Sequence, residues 1–463
     1  MENKQKQFTD YRKQYPTFVY QDYKIEERDD CLHIDYTFVI PDLTEFHPSI
    51  EIKKKSFIQN DWKNDYVRNL VFHIGLVELI SYWKCTCSPH VIIACGNLKK
   101  EQENWFKKLY FYGLGELFYT NGIHTSIDDF MHISYEGEEI VVEEYPENND
   151  FGGYVIPIGG GKDSFLTLEL LKKQKDNLCF IVNPKPVTMA CAEAAGYLPD
   201  QIIEVNRRLD PEIIRLKEEG YINGHTPFSS LLAFLSYLSA YLTGRKYIAL
   251  SNESSANESN VIGEKINHQY SKSLEFENDF REYSRKYLKL PISYFSFLRP
   301  LSELQIAKLF SRYEKYHPIF KSCNVGSKEK EWKWCCHCPK CLFVYTILSP
   351  FLYGKKLTNI FGEDLFQKED MLDTFLELAG KKDVKPFECV GTFGEVRYAI
   401  SKTIKNLEEQ KQKLPYLLQY YKEHYVLEDV SQDVSQDITK EYNEENNLPK
   451  ELDRILKKEV QND

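Results

Sequence analysis

Residues 154–171 read YVIPIGGGKDSFLTLELL, and this stretch decides the fold. The apolar run Tyr154–Ile158 predicts a buried strand, and Ser164–Leu171 predicts a helix that follows a glycine turn. Glycines lack a Cβ, so three in a row let backbone N–H groups approach an anion, and the N-terminus of the helix adds partial positive charge. The stretch therefore predicts a pyrophosphate pocket, formed by Gly159, Gly160, Gly161, Lys162, Asp163 and Ser164.

Two common phosphate-binding patterns do not fit this loop. A Walker A loop needs glycine where Ile156 stands and serine or threonine where Asp163 stands, and no G-x-G-x-x-G register fits either. The loop resembles the SGGxDS loop of PP-loop ATP pyrophosphatases, with Gly159 in place of the usual serine. That resemblance implies that ATP is split between its α and β phosphates, with Lys162 as a catalytic residue. The alternative is a glycine-rich turn without a ligand.

Strands and helices alternate after the loop. The runs Leu178–Val182, Gln201–Val205 and Tyr247–Leu250 predict strands, and Thr226–Leu242 predicts a long apolar helix. This alternation predicts an α/β fold in which a parallel sheet carries helices on both faces. Ligands bind at the carboxyl ends of such strands, and Ser251, Asn252 and Glu253 follow the last one. We expect Ser251 and Asn252 to contact the nucleoside of ATP and Glu253 to hold Mg²⁺; a polar helix-capping loop is the alternative.

A group of cysteines predicts a metal site. Cys335, Cys338 and Cys341 are spaced C-x-x-C-x-x-C, and Cys323 lies upstream. Four thiolates suit a tetrahedral Zn²⁺ with no open position, which is a structural site. Cys336 and His337 are further ligands within reach, and an iron–sulfur cluster is the alternative metal group.

Four regions are expected. Residues 1–150 form an α+β substrate-binding region, with strands near Leu32–Ile40, Ile50–Phe57 and His90–Cys95 and with helices over 67–80 and Trp105–Tyr119. Residues 151–320 form a PP-loop domain of the adenine nucleotide α-hydrolase-like type. Residues 321–400 form a cysteine-rich, helical, metal-binding region. Residues 401–463 form a helical acidic tail, in which DVSQDVSQDI (429–438) is a mobile linker or exposed turn.

The composition of the chain argues against some classes of binding partner. The net charge is −11 and no block of the chain is strongly basic, which argues against a nucleic-acid partner. The N-terminus lacks the apolar core of a signal peptide, and no apolar run is long enough to span a bilayer. We expect a reduced, cytoplasmic protein without membrane association.

Several segments together point to one family. They are FHIGLVELISYWK (72–84), WFKKLYFYGLGELFYTNGI (105–123), IGGGKDS (158–164), SNESSAN (251–257), WCCHCPKC (334–341) and KPFECVGTFGE (385–395). Together they resemble the UDP-N-acetylmuramoyl-L-alanyl-L-glutamate epimerase family. The resemblance implies inversion of the terminal glutamate of a UDP-sugar dipeptide from L to D, with ATP and Mg²⁺. It also implies nucleotide binding by the glycine-loop residues and by Ser251, Asn252 and Glu253, and metal binding by the cysteines.

The need for ATP has a chemical reason. The α-hydrogen of glutamate is very weakly acidic, because its removal places a carbanion beside a carboxylate that is already negative. Adenylation turns that carboxylate into an acyl phosphate whose carbonyl can accept the charge as an enolate, while a base and an acid act on opposite faces. Candidates for these two groups are His73, Glu78, Cys85, Cys87 and His225, although isolated buried residues of these types commonly serve packing.

Two other functions fit the same motifs. One is a PP-loop enzyme that adenylates a nucleobase or tRNA carbonyl for amination or thiolation, as in 7-cyano-7-deazaguanine synthase, which also combines a glycine loop with a cysteine zinc site. The other is a nucleotide-sensing protein with a degenerate loop, against which the intact Lys162, Asp163 and Ser164 weigh.

Overall fold

The computed structural model describes residues 3–59, 61–146, 149–323, 325–326, 333–352, 354–425, 439 and 441–461. The strands are β1 (Thr17–Glu27), β2 (Cys31–Ile40), β3 (Thr44–Phe46), β4 (Ser49–Lys53), β5 (His90–Ile93), β6 (His132–Tyr135), β7 (Tyr154–Pro157), β8 (Asn177–Val182), β9 (Ile202–Arg208), β10 (Tyr247–Leu250) and β11 (Ser293–Ser296).

The helices lie between and after these strands. They are α1 (Gln5–Gln14), α2 (Asp65–Glu78), α3 (Ile80–Trp83), α4 (Lys100–Gly113), α5 (Gly115–Thr120), α6 (Lys162–Leu171), α7 (Pro186–Ala194), α8 (Glu212–Glu218), α9 (Phe228–Thr243), α10 (Leu274–Tyr283), α11 (Glu303–Phe310), α12 (Pro339–Leu348), α13 (Lys355–Phe361), α14 (Leu372–Leu378), α15 (Phe393–Glu409), α16 (Tyr416–His424) and α17 (Lys450–Gln461).

All the strands join one 11-stranded sheet, in the order β11-β10-β7-β8-β9-β4-β2-β1-β5-β6, with β3 paired to β2. The five strands from β11 to β9 are parallel. The strand β4 then pairs antiparallel with β9. The regions before and after the predicted boundary at residue 150 therefore share one continuous sheet. Such pairing gives the backbone groups at the edge of the parallel sheet a partner, where a free edge would leave them unpaired. The predicted α/β fold is confirmed.

The parallel half contains a topological switch point. The chain runs outward through β7, β8 and β9 and then returns to place β10 on the other side of β7. The connections that follow β7 and β10 therefore leave the sheet in opposite directions, which opens a crevice at the carboxyl ends of these two strands. Both the glycine loop and the Ser251–Glu253 segment begin at this crevice.

The sheet separates two hydrophobic cores. Successive side chains of a strand point to opposite faces, so Val155 belongs to one core and Ile156 to the other. The first core contains the apolar helix α9 and the helices of the N-terminal region. The second contains α6, α11 and the C-terminal helices. The C-terminal region thus packs as a layer on one face of the sheet. Loops of this region therefore reach the same crevice.

Some details differ from the sequence predictions. The helix expected over Trp105–Tyr119 is two helices, α4 and α5, which meet at Gly113–Gly115. Gly113 lies against Pro227, where a Cβ would approach the proline ring to 2.6 Å. The helix expected from Thr226 begins at Phe228, after that proline. The repeat at 429–438 lies outside the described residues. In the described part of the chain, no helix is both long and apolar enough to cross a bilayer.

Candidate functional site

The glycine loop forms the tight connection that its sequence predicts. Gly160 has φ +80°, and a Cβ there would approach Val187 Cγ1 to 2.8 Å, so this position requires glycine. The backbone N–H of Gly159 donates to Ser164 Oγ at 2.9 Å, which fixes the loop against the first turn of α6. A Cβ at Gly159 would meet nothing within 4 Å. The loop is therefore packed closely against α7 at Gly160 and open at Gly159.

A cavity of about 490 Å³ lies at this open side, between the carboxyl ends of β7 and β10. That volume is within the usual range for small-molecule sites. Most of the nucleotide-binding residues predicted from the sequence line it, namely Gly159, Gly161, Asp163, Ser164, Ser251, Asn252 and Glu253. The structure thus brings two segments that are about ninety residues apart in sequence to one cavity.

Lys162 is placed differently from its expected position facing the phosphates. Its side chain is 2% exposed, and its ammonium donates to Asp163 Oδ1 at 2.5 Å and to Glu303 Oε2. Burial alone would lower the pKa of Lys162, but the charges of Asp163 and Glu303 outweigh burial and raise it. The ammonium therefore stays charged. It lies behind the cavity wall and holds in place two carboxylates that line the cavity.

One polar atom in the cavity has no partner in the protein. Ser251 Oγ is buried and makes no hydrogen bond to any residue that the structure describes. Its neighbour Asn252 donates from Nδ2 to Ser296 Oγ at 3.1 Å, which leaves the amide oxygen available. Buried hydroxyls are nearly always hydrogen-bonded, so Ser251 fits a site that a polar ligand completes.

Three carboxylates, those of Asp163, Glu253 and Glu303, line the cavity. Burial and then the charge of Asp163 raise the pKa of Glu253. Burial also raises the pKa of Glu303 to about 8, against the opposing attraction of Lys162. Carboxylate oxygens that repel one another in a partly buried site are suitable ligands for a hard cation such as Mg²⁺.

The cavity also carries positive charges that the sequence motifs did not reveal. Lys272, Lys321 and Lys340 line it, from the segments before α10, before the cysteines and at the start of α12. They suit an anion such as a phosphate chain. Lys340 lies within the quoted segment WCCHCPKC, but that pattern gives no indication that its side chain would reach the glycine loop.

The four predicted cysteine ligands come together. The sulfurs of Cys323, Cys335, Cys338 and Cys341 all lie within 4.8 Å of one another. Three separations are 3.9 Å (Cys323–Cys338), 3.7 Å (Cys335–Cys341) and 3.5 Å (Cys338–Cys341). Tetrahedral Zn²⁺ with Zn–S bonds of about 2.3 Å would place its sulfurs about 3.8 Å apart.

The two further ligand candidates lie outside this cysteine group. Cys336 has φ +61°, and its thiol is directed to the carbonyl oxygen of Phe361 at 3.2 Å. The His337 side chain is exposed, with Nδ1 2.7 Å from its neighbour Cys335's carbonyl oxygen. The donor set is therefore four sulfurs, which fits a closed structural metal site.

Comparison with known families agrees with this architecture. The sequence model of the MurL N-terminal domain matches residues 9–297, and that of the MurL C-terminal domain matches residues 319–434. The chain belongs to the MurL family. The N-terminal MurL model extends across the glycine loop and the switch point, and the C-terminal model includes the cysteine site.

Three similar proteins carry the name UDP-N-acetyl-alpha-D-muramoyl-L-alanyl-L-glutamate epimerase. The protein of Micromonospora sp. is 34% identical over 71% of this chain and 73% of its own length. That of Xanthomonas oryzae pv. oryzae is 33% identical over 71% of this chain and 73% of its own length. That of Salinispora tropica is 35% identical, with 71% of each covered. The predicted family is confirmed, and this MurL protein is an epimerase.

An epimerase needs groups that move a proton, and the structure separates the five candidates. His73 is buried and lies between Asn69 O and Tyr283 OH, both at 2.7 Å, and burial lowers its pKa to about 4. Glu78 is buried in a two-bonded ion pair with Arg207, both bonds at 2.8 Å. These contacts give His73 and Glu78 packing and structural roles.

The other three candidates differ in their surroundings. Cys85 and Cys87 are fully buried in the first core, and burial raises the pKa of Cys85 to about 12. His225 is only part-buried and contacts His268, with the ring centres 4.2 Å apart and the ring planes tilted by 41°. Burial, followed by the charges of His268 and Lys272, lowers the pKa of His225 to about 3. Of the five, His225 interacts with the charged groups that border the cavity.

Proposed function

We propose that this MurL protein is an ATP-dependent, PP-loop-class epimerase. It inverts the terminal L-glutamate of UDP-N-acetylmuramoyl-L-alanyl-L-glutamate to D-glutamate during the synthesis of peptidoglycan precursors. Its similar proteins are named for that substrate. The observation that carries the ATP-dependent step is the cavity at the switch point, where the glycine loop and Ser251–Glu253 meet.

The residues of the cavity support nucleotide binding. The N-terminus of α6 and the open side of the glycine loop offer backbone donors to phosphate oxygens, and Lys321 and Lys340 add positive charge. The partnerless hydroxyl of Ser251 and the amide of Asn252 suit the nucleoside. Glu253, Asp163 and Glu303 are the residues that would hold Mg²⁺. Mg²⁺ bound there would neutralise charge on the phosphates and on these carboxylates.

The same cavity suits adenylation of a carboxylate. In this reaction a glutamate α-carboxylate oxygen attacks the α-phosphorus of ATP and pyrophosphate leaves. The lysines of the cavity stabilise the charge on the leaving group. Lys162 supports this arrangement by fixing Asp163 and Glu303. The acyl adenylate has a carbonyl that accepts the electron pair of the α-carbon, and hydrolysis after inversion releases AMP.

The cysteine site has a structural role in this proposal. A single Zn²⁺ on Cys323, Cys335, Cys338 and Cys341 would link the segment before the cysteines to the start of α12, and hence position Lys321 and Lys340. The sulfur separations near 3.8 Å support one ion rather than an iron–sulfur cluster, in which the four thiolates bind two or four irons and so lie farther apart.

The proposal is tested with the intact UDP-sugar dipeptide, ATP and Mg²⁺ in D₂O. We expect AMP and pyrophosphate as products, and deuterium at the α-carbon of a glutamate that is now D. Free L-glutamate should react poorly, because remote contacts to the sugar nucleotide orient the carboxylate. Formation of ADP and phosphate as the stoichiometric products would contradict the PP-loop assignment. Absence of α-deuterium with the intact substrate would contradict the epimerase mechanism.

A further inference from the structure

A cysteine outside the predicted metal site, within the segment KPFECVGTFGE (385–395), lies in the same cavity. Cys389 belongs to the loop before α15 and lines the cavity together with the glycine loop. Lys272 Nζ lies 2.9 Å from its sulfur, and His268 is a further neighbour that lowers the pKa of this thiol. Lys340 donates from Nζ to the carbonyl oxygen of Cys389. The sulfur thus has one lysine as a direct partner and a histidine as a second basic neighbour.

A carboxylate orients this histidine. His268 Nδ1 lies 2.5 Å from Glu116 Oε2, and the ring of His225 packs against the imidazole at an interplanar angle of 41°. An imidazole and a carboxylate therefore form a hydrogen-bonded pair, His268–Glu116, beside the thiol of Cys389. In this arrangement the carboxylate orients the histidine, and the histidine supports an anionic sulfur.

The charges around the sulfur favour the thiolate. Burial alone would raise the pKa of Cys389, but Lys272, His268 and Lys340 outweigh it and hold that pKa well below its usual range. Burial would likewise lower the pKa of His268, yet Cys389 and Glu116 raise it to about 9. By contrast, burial raises the pKa of Cys95 to about 12. Cys389 thus differs from an ordinary buried cysteine.

The loop that carries Cys389 is held firmly. Asn260 donates from Nδ2 to Pro386 O at 2.9 Å and accepts from the backbone N–H of His268 at 2.8 Å. Gln269 donates from Nε2 to Val390 O at 3.3 Å. One segment therefore fixes both the histidine and the cysteine loop, which keeps their relative position constant.

We propose that the Cys389 sulfur is one of the two groups that exchange the glutamate α-proton with the acyl adenylate, an assignment that rests on the proposed function. The Cα–H bond breaks, an S–H bond forms, and the electron pair moves into the adenylate carbonyl to give an enolate. A protonated side chain or a water molecule on the opposite face then supplies the proton that forms the new Cα–H bond. Cys389 returns its proton to solvent. Lys272 supplies positive charge beside the sulfur, and Glu116 is a positioning residue that acts through His268.

The first experiment separates proton transfer from adenylation. The full-length Cys389→Ser variant is given intact substrate, ATP and Mg²⁺ in D₂O, and Cys95→Ser serves as the matched control. We expect α-deuterium incorporation to fall by about 100-fold or more in Cys389→Ser, the usual range for loss of a general base. Exchange of labelled pyrophosphate into ATP should stay within about threefold of the wild type, because adenylation does not need the base. Cys95→Ser should retain both activities.

The second experiment measures the thiolate directly and does not depend on turnover. Iodoacetamide labelling of Cys389, located by peptide mass spectrometry, is followed against pH. We expect the rate at pH 6.5 to be within about threefold of that at pH 9, whereas an ordinary thiol would slow roughly 75-fold. Lys272→Met should restore a steep pH dependence, since it removes the nearest positive charge.

Specific results would overturn the assignment. Unchanged α-deuterium incorporation in Cys389→Ser would do so, as would equal loss of proton exchange and pyrophosphate exchange in a variant that melts at the wild-type temperature. Isolation of the substrate as a thioester on Cys389 would identify a nucleophile instead of a base. If wild-type protein itself shows no pyrophosphate exchange, the proposed function fails, while the labelling result still reports on the thiolate.

Discussion

Replacement of Lys162 by alanine tests whether this residue acts behind the cavity wall. The variant loses the ammonium that pairs with Asp163 and Glu303. Asp163 is 27% exposed, so water can solvate its charge, whereas Glu303 is 2% exposed and has no such compensation. The free energy of unfolding should therefore fall mainly because of Glu303.

The size of the effect depends on pH. Burial raises the pKa of Glu303 to about 8, so this side chain is largely protonated at pH 6 and largely charged at pH 9. At pH 6 the variant loses hydrogen bonds from a charged donor, roughly 1.5–3 kcal/mol. At pH 9 the carboxylate of Glu303 must either stay charged without its partner or take up a proton, and leaving it charged would cost about 3–5 kcal/mol. The variant, in which the pKa of Glu303 rises further, should lose stability relative to the wild type as the pH increases.

Urea denaturation at pH 6 and pH 9, followed by tryptophan fluorescence, measures this difference. Lys162→Ala/Glu303→Gln measured against Glu303→Gln is the matched control, because neither variant carries the titrating carboxyl and the difference between them should not depend on pH. Lys356→Ala, which breaks an exposed pair with Glu314, should cause no measurable change. Equal destabilisation by Lys162→Ala at both pH values, or the same pH dependence of the Lys162→Ala effect in the Glu303→Gln background, would refute the reasoning.

Two further predictions concern the cysteine site and the glycine loop. Purified protein should contain about one zinc per chain, and Cys338→Ser should lose zinc and melt at a lower temperature while Cys336→Ser keeps its metal. Iron and sulfide in the preparation, or zinc retained in Cys338→Ser, would contradict this assignment. Gly160→Ala should lower stability by about 1–2 kcal/mol because its φ is positive and its Cβ would meet Val187. Gly159→Ser, which faces open space, should fold as the wild type does; equal destabilisation of both variants in a thermal melt would contradict the loop geometry.

Local patterns in the sequence were sufficient for much of the architecture. A strand, three glycines and a helix are adjacent along the chain, so residues 154–171 predict their own conformation. The Ser251–Glu253 segment was predicted to join them because parallel strands end at the same edge of a sheet. The cysteine set was also foreseen in outline, since three of its members lie within seven residues.

Other features depend on tertiary contacts. The C-x-x-C spacing could not exclude Cys336, whose thiol is turned away by a left-handed backbone conformation. Nor could the motif show that the Lys162 ammonium turns toward Glu303, which lies 141 positions later in the chain. The union of two sets of strands through β4 and β9 has no sequence signal either, because edge pairing depends on backbone hydrogen bonds that many sequences can make.

The charged residues around Cys389 also could not be grouped from the sequence. Glu116, His268, Lys340 and Cys389 lie on four separate segments, and no period or spacing relates them. The sequence by itself predicted the strand–loop–helix unit, the parallel strands that follow it and the grouping of the cysteines, because strand and helix patterns and the C-x-x-C spacing are local features of the chain. Only the tertiary structure decided which charges face the cavity, because both faces of the sheet must be covered and the helices that cover them bring distant side chains to one crevice.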